Sequence, residues 1–290
     1  MGPKRYLVLF QYRRTHYSGA VRTPADQPVF GVQNYLEQAA QNLKPLVPIK
    51  FCISSETDAG VHALCNSAHV DIQKEAGKPP FPGSILVSSL NHWLKSEEIQ
   101  ILSACQVPDD FHARFSALSR TYIYRLVVGC SYNSQIPVFE RDLCWAPRGD
   151  HLNVPATQEA VQFPLGTHDF SAFHSICATM PPKSPIKTLI HVDLRPFSSF
   201  LSYHYIQRRL QFWELEFRSQ SFLYKQVQRM VGALVAVGQG KLKPYHIKLL
   251  LEVRDSLAYP HNTIALAAGL FLKSVEYDDA NLQAAGAAGE

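Results

Sequence analysis

The chain has little of what staples a small secreted or metal-dependent fold. Six cysteines (Cys52, Cys65, Cys105, Cys130, Cys144 and Cys177) are scattered over 290 residues with no C-x-x-C pair. That distribution argues against a zinc ribbon and against a disulfide framework, and the thiols read as buried groups in a reducing compartment. No run approaches the roughly 20 apolar residues that a membrane-spanning helix needs, so no membrane partner is expected. Only Met-Gly-Pro-Lys-Arg precedes the apolar YLVLFQY (6–12), too little for a signal or transit peptide. Acidic runs are missing, and charged residues make up 18% of the chain with a net charge of +4. A polyanionic partner is compatible with that balance only if the basic residues cluster.

A hydrophobic content of 46% supplies a sizeable core. YLVLFQY (6–12), VPIKFCIS (47–54), NSAHVDI (66–72), IQILSACQV (99–107) and RTYIYRLVV (120–128) read as strands. Helices are expected over 31–43, where Val32, Tyr35, Leu36, Ala39 and Leu43 share a face, and over 84–94 after the KPPFPG breaker. In the second half, 151–163, 221–238 and 244–255 read as helices, and 188–195, 210–217 and 270–277 as strands. Trp213, Leu215 and Phe217 alternate with Glu214 and Glu216, which predicts a strand with one wet face. In the helix from Ser221, Leu223, Val227, Met230, Val231 and Leu234 are expected to face inward. The expectation is an α+β fold of two similar halves around a mixed, largely antiparallel sheet. Residues 1–142 form one half, 143–278 the other, and 279–290, rich in alanine and glycine, a disordered tail.

Two segments carry candidate chemistry. In SSETDAGVHAL (54–64) the carboxylates Glu56 and Asp58 sit one residue apart on a turn at a strand end, followed by Gly60 and His62. A carboxylate on such a turn can be held rigidly at a binding site, and glycine permits close approach. Equally, Asp58 can cap the turn through its own backbone, with His62 as a packed histidine. In FHARFSALSRTYIYRL (111–126), Arg114, Arg120 and Arg125 interleave with Phe115, Tyr122 and Tyr124. This mix suits guanidinium groups on phosphates and aromatic faces under unstacked bases, or a half-buried strand with a solvated arginine face. Arg13, Arg14, Arg208 and Arg209 read as solvated loop residues, and His168 and Asp169 as structural. Glu56, Asp58, His62 and His69 lack metal-ligand spacing, so no metal site is expected.

The blocks TDAGVHA (57–63), FHARFSALSRTYIYRL (111–126), LGTHDFSAF (165–173), SFLYKQVQRMVGALVAVGQGKL (221–242) and AAGLFLKSVEY (267–277) occur in this order. Together they resemble the TruA family of tRNA pseudouridine synthases, over almost the whole chain from Tyr6 to Tyr277. The resemblance implies the pseudouridine synthase fold with a central RNA-binding cleft, and conversion of uridine to pseudouridine in tRNA or a similarly structured RNA. It implies Asp58 as the catalytic residue that breaks the N1 glycosidic bond, acting either as a nucleophile at the sugar or as a base on a sugar proton. It further implies Tyr122 as the ring that stacks on the target uracil and Arg114 and Arg120 as substrate contacts, with no cofactor or metal. The family's assemblies imply a monomer or homodimer, in a mitochondrial or cytoplasmic setting.

At three places the sequence departs from the family pattern, one of them Arg14 in YRRT, where a glycine and a tight turn are common. Glu56 stands where the family has arginine, a wedge or phosphate contact in base extrusion, and a glutamate there would also raise the pKa of Asp58 if the two side chains faced each other. Gln228 stands where the family has an arginine that resembles a salt-bridge partner of the catalytic aspartate. Arg229 lies about 100° around the helix axis and is expected to point elsewhere, leaving Lys225, three residues before Gln228, as the substituting cation. Lysine lacks the planar fork of arginine and would hold a carboxylate less well. A catalytically impaired RNA-binding relative is therefore the alternative function. A hydrolase using Glu56 and Asp58 as a carboxylate pair is disfavoured, because a one-residue spacing rarely gives the required separation.

Overall fold

The computed structural model describes residues 2–13, 16–130, 133–149, 151–176, 183–198 and 210–283. Arg14, Cys177, Arg208, Arg209 and residues 284–290 of the expected tail lie outside the described residues, whereas the start of that tail, Asp279–Asn281, forms a 3-10 turn. The fold is α+β, as expected. In chain order the elements are β1 (Lys4–Tyr12), α1 (Val32–Gln41), β2 (Phe51–Ile53), β3 (His62–Ile72), α2 (Gly83–Leu94), β4 (Ile99–Gln106), β5 (Ala117–Val128), α3 (Val154–Ala160), β6 (Gly166–Asp169), β7 (Ile186–Pro196), β8 (Gln211–Ser219), α4 (Gln226–Gly238), α5 (Tyr245–Val253) and β9 (Leu270–Tyr277). The chain divides into two compact units, 1–120 with 271–290, and 121–270. No helix among the described residues is long and apolar enough to cross a membrane.

In the first unit the strands run in the order β4-β1-β3-β9, with β2 also paired to β3. β1 is antiparallel to both neighbours, whereas β3 and β9 meet in parallel through His62–Phe271 and Ala63–Leu272. Tyr6, Leu7, Val8, Phe10 and Tyr12 of β1 are all buried, which explains why this strand reads as a nearly unbroken apolar run: a central strand has both faces covered. Its register against β3 shifts between Phe10 and Tyr12, the kind of irregularity that re-aims a side chain. β3 begins at His62, four residues before the expected strand, and His62 is buried against the Phe271 ring at 4.5 Å.

The second unit carries β5 from Thr121, β8, β7 and β6 in that order, with β7 antiparallel to both β6 and β8. The four-residue β6 escaped the sequence reading, being too short for a period-two pattern. Every residue of α4 except Arg229 is buried, so this helix is apolar nearly all round and lies at the centre of the unit. It starts at Gln226 rather than Ser221, because Lys225 adopts left-handed backbone (φ 56°). α3 likewise runs only from Val154 to Ala160, capped by the Asn153 side chain accepting from the Ala156 N–H at 3.1 Å. The wet face expected on β8 holds only in part. Glu214 is 5% exposed, covered by the Arg195 side chain, which donates to it from Nε at 3.1 Å and Nη2 at 2.5 Å.

Candidate active site

Between β2 and β3 the chain follows an irregular loop, and Asp58 lies half-buried on it. The segment around Asp58 is fixed from several sides. The Ala20 N–H donates to Thr57 O at 3.1 Å, and the Val61 N–H donates to Asp58 O at 3.1 Å. The Thr57 hydroxyl meets the Tyr12 hydroxyl at 2.5 Å, and Asn66 Nδ2 donates to Ser55 O at 3.0 Å. Gly60 has φ 102°, a left-handed conformation that side chains resist, which lets the chain turn from the loop into β3. Gly19 closes against the same loop: with φ 131°, an added Cβ would stand 2.8 Å from Thr57 O.

Arg120 supplies the deepest brace. It is 8% exposed, and its guanidinium donates to Ser55 Oγ (3.0 Å), Ser54 O (3.2 Å), Ser54 Oγ (3.0 Å) and Arg114 O (2.9 Å). The sequence reading set Arg120 among solvent-facing phosphate contacts. Its guanidinium instead points into the protein, tying the Asp58 loop to the 112–116 turn. Arg125 also turns inward, pairing with Glu140 at 2.7 Å and lying over the Phe197 ring at 4.1 Å. The anticipated solvated arginine face is therefore reduced to Arg114, whose Nη1 and Nη2 face Glu56 Oε1 and Oε2 at 2.5 and 3.5 Å. Glu56 is exposed and turned to this guanidinium.

The 112–116 turn is built on a histidine. His112 Nδ1 accepts from the N–H groups of Arg114 (3.2 Å) and Phe115 (3.4 Å), while the Ser116 N–H donates to His112 O at 2.8 Å. Cys52, His69 and His112 bring ligand-type atoms within 4.8 Å of one another, a grouping that the sequence reading did not anticipate. Both imidazoles are already committed. His69 Nδ1 accepts from the Ala113 N–H at 3.1 Å, as His112 Nδ1 does from its own backbone donors. An Nδ1 that accepts leaves the neutral ring's proton on Nε2, so His112 Nε2–H donates to Cys52 Sγ at 3.6 Å and no Nε2 lone pair faces a metal. Burial and the Arg5 charge lower the His69 pKa to about 4, and His112 is lowered by the same causes. The neutral tautomers are stable at ordinary pH.

The other candidate residues named from the sequence lie in the second unit. Tyr122 is half-buried on β5, its ring edge-on to Phe222 at 5.2 Å and 84°. Tyr124, two residues on, is fully buried and donates its hydroxyl to Leu266 O, so only one of the two tyrosines presents a ring. Lys225 precedes α4 instead of lying on its first turn, and the helical-face argument that paired it with position 228 does not apply. Gln228 is buried, donating from Nε2 to Ala265 O at 3.1 Å. Arg229 points elsewhere, as anticipated: it donates to His174 O and Ser256 O and lies over the Tyr259 ring at 4.1 Å.

Sequence reasoning missed the residues that hold the site: Tyr12, Ser54, Ser55, Asn66, His112 and Tyr277. Tyr277 accepts from the Ser67 hydroxyl at 2.6 Å and donates to Ala113 O at 2.6 Å, fastening β9 to both β3 and the 112–116 turn. The available signal was a set of polar residues, Asn66 and Ser67 above all, inside otherwise apolar strands. Buried polar groups need partners, but their identity is a matter of tertiary placement.

A chain with this α+β architecture and a braced aspartate turn falls among RNA-modifying enzymes when compared with known proteins. The family model described as tRNA pseudouridine synthase matches residues 160–278. The tRNA pseudouridine synthase-like 1 protein of Xenopus laevis is 56% identical over 278 residues, covering 96% of this chain and 93% of its own. Its Homo sapiens namesake is 52% identical, with 94% and 90% covered. A tRNA pseudouridine synthase A from Paramagnetospirillum magneticum is 33% identical, with 94% and 95% covered. The chain belongs to the tRNA pseudouridine synthase family of the TruA type, as the motif resemblance implied.

Proposed function

We infer that this protein isomerises uridine to pseudouridine in tRNA, with Asp58 as the catalytic carboxylate. The supporting observation is the bracing of the Asp58 loop, in which Thr57, Ser55 and Ser54 are each tied to a separate element. A carboxylate that must meet one sugar carbon or one sugar proton gains from being held in place before the substrate arrives. The chemistry breaks the N1 glycosidic bond and forms a bond from the same sugar carbon to C5. The C5 proton leaves and N1 gains one, so the reaction balances without a redox partner. Tyr122 serves as the ring on which the extruded uracil rests, offsetting part of the few kcal/mol that unstacking costs. Arg120 acts as a positioning residue, and Arg114 and Lys225 as contacts to the RNA.

A second reading, an RNA-binding relative with weak turnover, draws on two observations. Glu56 occupies the Arg114 guanidinium, and Gln228 spends its amide on Ala265. One experiment separates the readings. Purified protein is incubated with tRNA labelled at C5 of uridine, and proton release is followed for the natural chain and for Asp58→Ala. Release by the natural chain and none by the variant, with tRNA affinity kept within a few fold, is the expected result. Absence of release from both, with binding retained, establishes the second reading. Equal release from both removes Asp58 from the mechanism.

A further inference from the structure

Phe115 is 78% exposed, far more than a large aromatic ring in a folded domain ordinarily is, and it adjoins Arg114 on the 112–116 turn. Its ring is not loose. It packs on His112 at 4.3 Å and 34°, and His112 packs in turn on His69 at 4.6 Å, a column that leads down into the buried part of the first unit. The backbone under both residues is fixed, since His112 Nδ1 accepts from the Arg114 and Phe115 N–H groups and Arg120 holds Arg114 O. A presented aromatic face beside a presented guanidinium, both on a rigid turn, matches the two surfaces of one nucleotide: base and phosphate.

The guanidinium is occupied. Glu56, two residues before Asp58, offers both carboxylate oxygens to the two terminal nitrogens of Arg114, at 2.5 and 3.5 Å. That is the two-point arrangement in which arginine also takes a phosphate. With side-chain exposures of 33% and 46%, the ion pair is of the weak, solvent-screened kind, and a phosphate can displace it.

We propose that Arg114 and Phe115 form a nucleotide-binding subsite beside the Asp58 loop, and that the Glu56 carboxylate holds the phosphate position of this subsite until RNA displaces it. The proposal rests on the reading that this chain takes tRNA as substrate. Glu56 then acts as an internal competitor, and the arginine missing at position 56 is offset by the neighbouring one at 114. Single-stranded RNA next to the target uridine is the ligand class, with recognition through stacking and charge rather than base edges.

The test measures affinity for an unmodified tRNA transcript across a salt series, so it does not depend on turnover. Glu56→Gln keeps the side-chain shape and removes the competing charge. Binding should tighten by about three- to tenfold, and the log-log salt dependence should steepen, because no displaced carboxylate is left to take up a cation when RNA binds. Arg114→Gln should weaken binding and, combined with Glu56→Gln, should cancel the gain. Phe115→Leu, which keeps apolar bulk but loses the ring, should weaken binding roughly tenfold, in line with the loss of one stacked base. Unchanged affinity in Glu56→Gln, or an equal gain when Arg114 is already glutamine, overturns the inference while leaving tRNA binding intact. If no form binds tRNA, the subsite and the proposed function fall together.

Discussion

The hydroxyls of Tyr12 and Thr57 meet at 2.5 Å inside the protein, 45 residues apart in the chain. This contact joins the end of β1 to the residue before Asp58, at the place where β1 shifts its register against β3. Burial pushes the Tyr12 phenol up to about 12, so it stays protonated at every working pH and the bond is constant. The contact therefore belongs to the architecture of the Asp58 loop, whereas in the proposed function the chemistry falls to the carboxylate next to it.

Removing the hydroxyl from Tyr12 should loosen that architecture more than it unfolds the protein. Tyr12→Phe leaves Thr57 Oγ1 without this buried partner, at a cost of about 1–2 kcal/mol. Thr57→Val should cost a similar amount. Because the two groups answer each other, the double variant should cost clearly less than the sum of the singles. Urea unfolding of the four proteins measures the coupling. Additive losses would show that the 2.5 Å contact contributes nothing of its own.

Arg120 permits a sharper test, because it is buried and serves four oxygen acceptors on three residues. Arg120→Met keeps the length and strands those acceptors, which should cost about 2–4 kcal/mol of stability. Arg120→Lys keeps the charge but replaces a planar fork by a point donor. It should remain folded while turnover falls at least tenfold, with KM changed much less, since the loop would be displaced and not removed. A fully active Arg120→Lys protein would show that the brace does not position Asp58.

The legibility of this molecule in its sequence followed the range of the forces involved. The long strands and α4 were readable because burial writes a local pattern, and the Asp58 turn was readable because a glycine with φ 102° must follow it. The direction of charged groups was not. Arg114, Arg120 and Arg125 stand in one short block with one composition, yet Arg114 reaches Glu56, Arg120 is buried under the Asp58 loop, and Arg125 turns inward to pair with Glu140. What decides among them is where an opposing acceptor stands, on loops 58, 66 and 15 residues away in the chain. Glu214 misled for the same reason, since Arg195 on the neighbouring strand covers it. Lys225 misled through a single left-handed residue, which delays the helix start by five positions from Ser221 to Gln226.

The histidine pair under the 112–116 turn predicts how the protein answers acid. His69 is held at about 4, below its ordinary 6.5, first by burial and then by the charge of Arg5. A depressed pKa means that the folded chain resists a proton which the unfolded chain accepts. The stabilising contribution is therefore fully present above pH 6.5 and is lost as pH falls from there towards 4. Protonation would also place an N–H on Nδ1, where the Ala113 N–H now donates, and the same conflict arises at His112 with the Arg114 and Phe115 donors. Unfolding free energy should fall steadily between pH 6.5 and 4, and the tRNA affinity contributed by Arg114 and Phe115 should fall with it. His69→Asn, whose Oδ1 can accept from Ala113 without titrating, should flatten the stability profile in that window. A natural protein equally stable at pH 7 and 4.5, or an asparagine variant with an unchanged slope, would remove His69 from this account and leave the turn's order to the backbone alone.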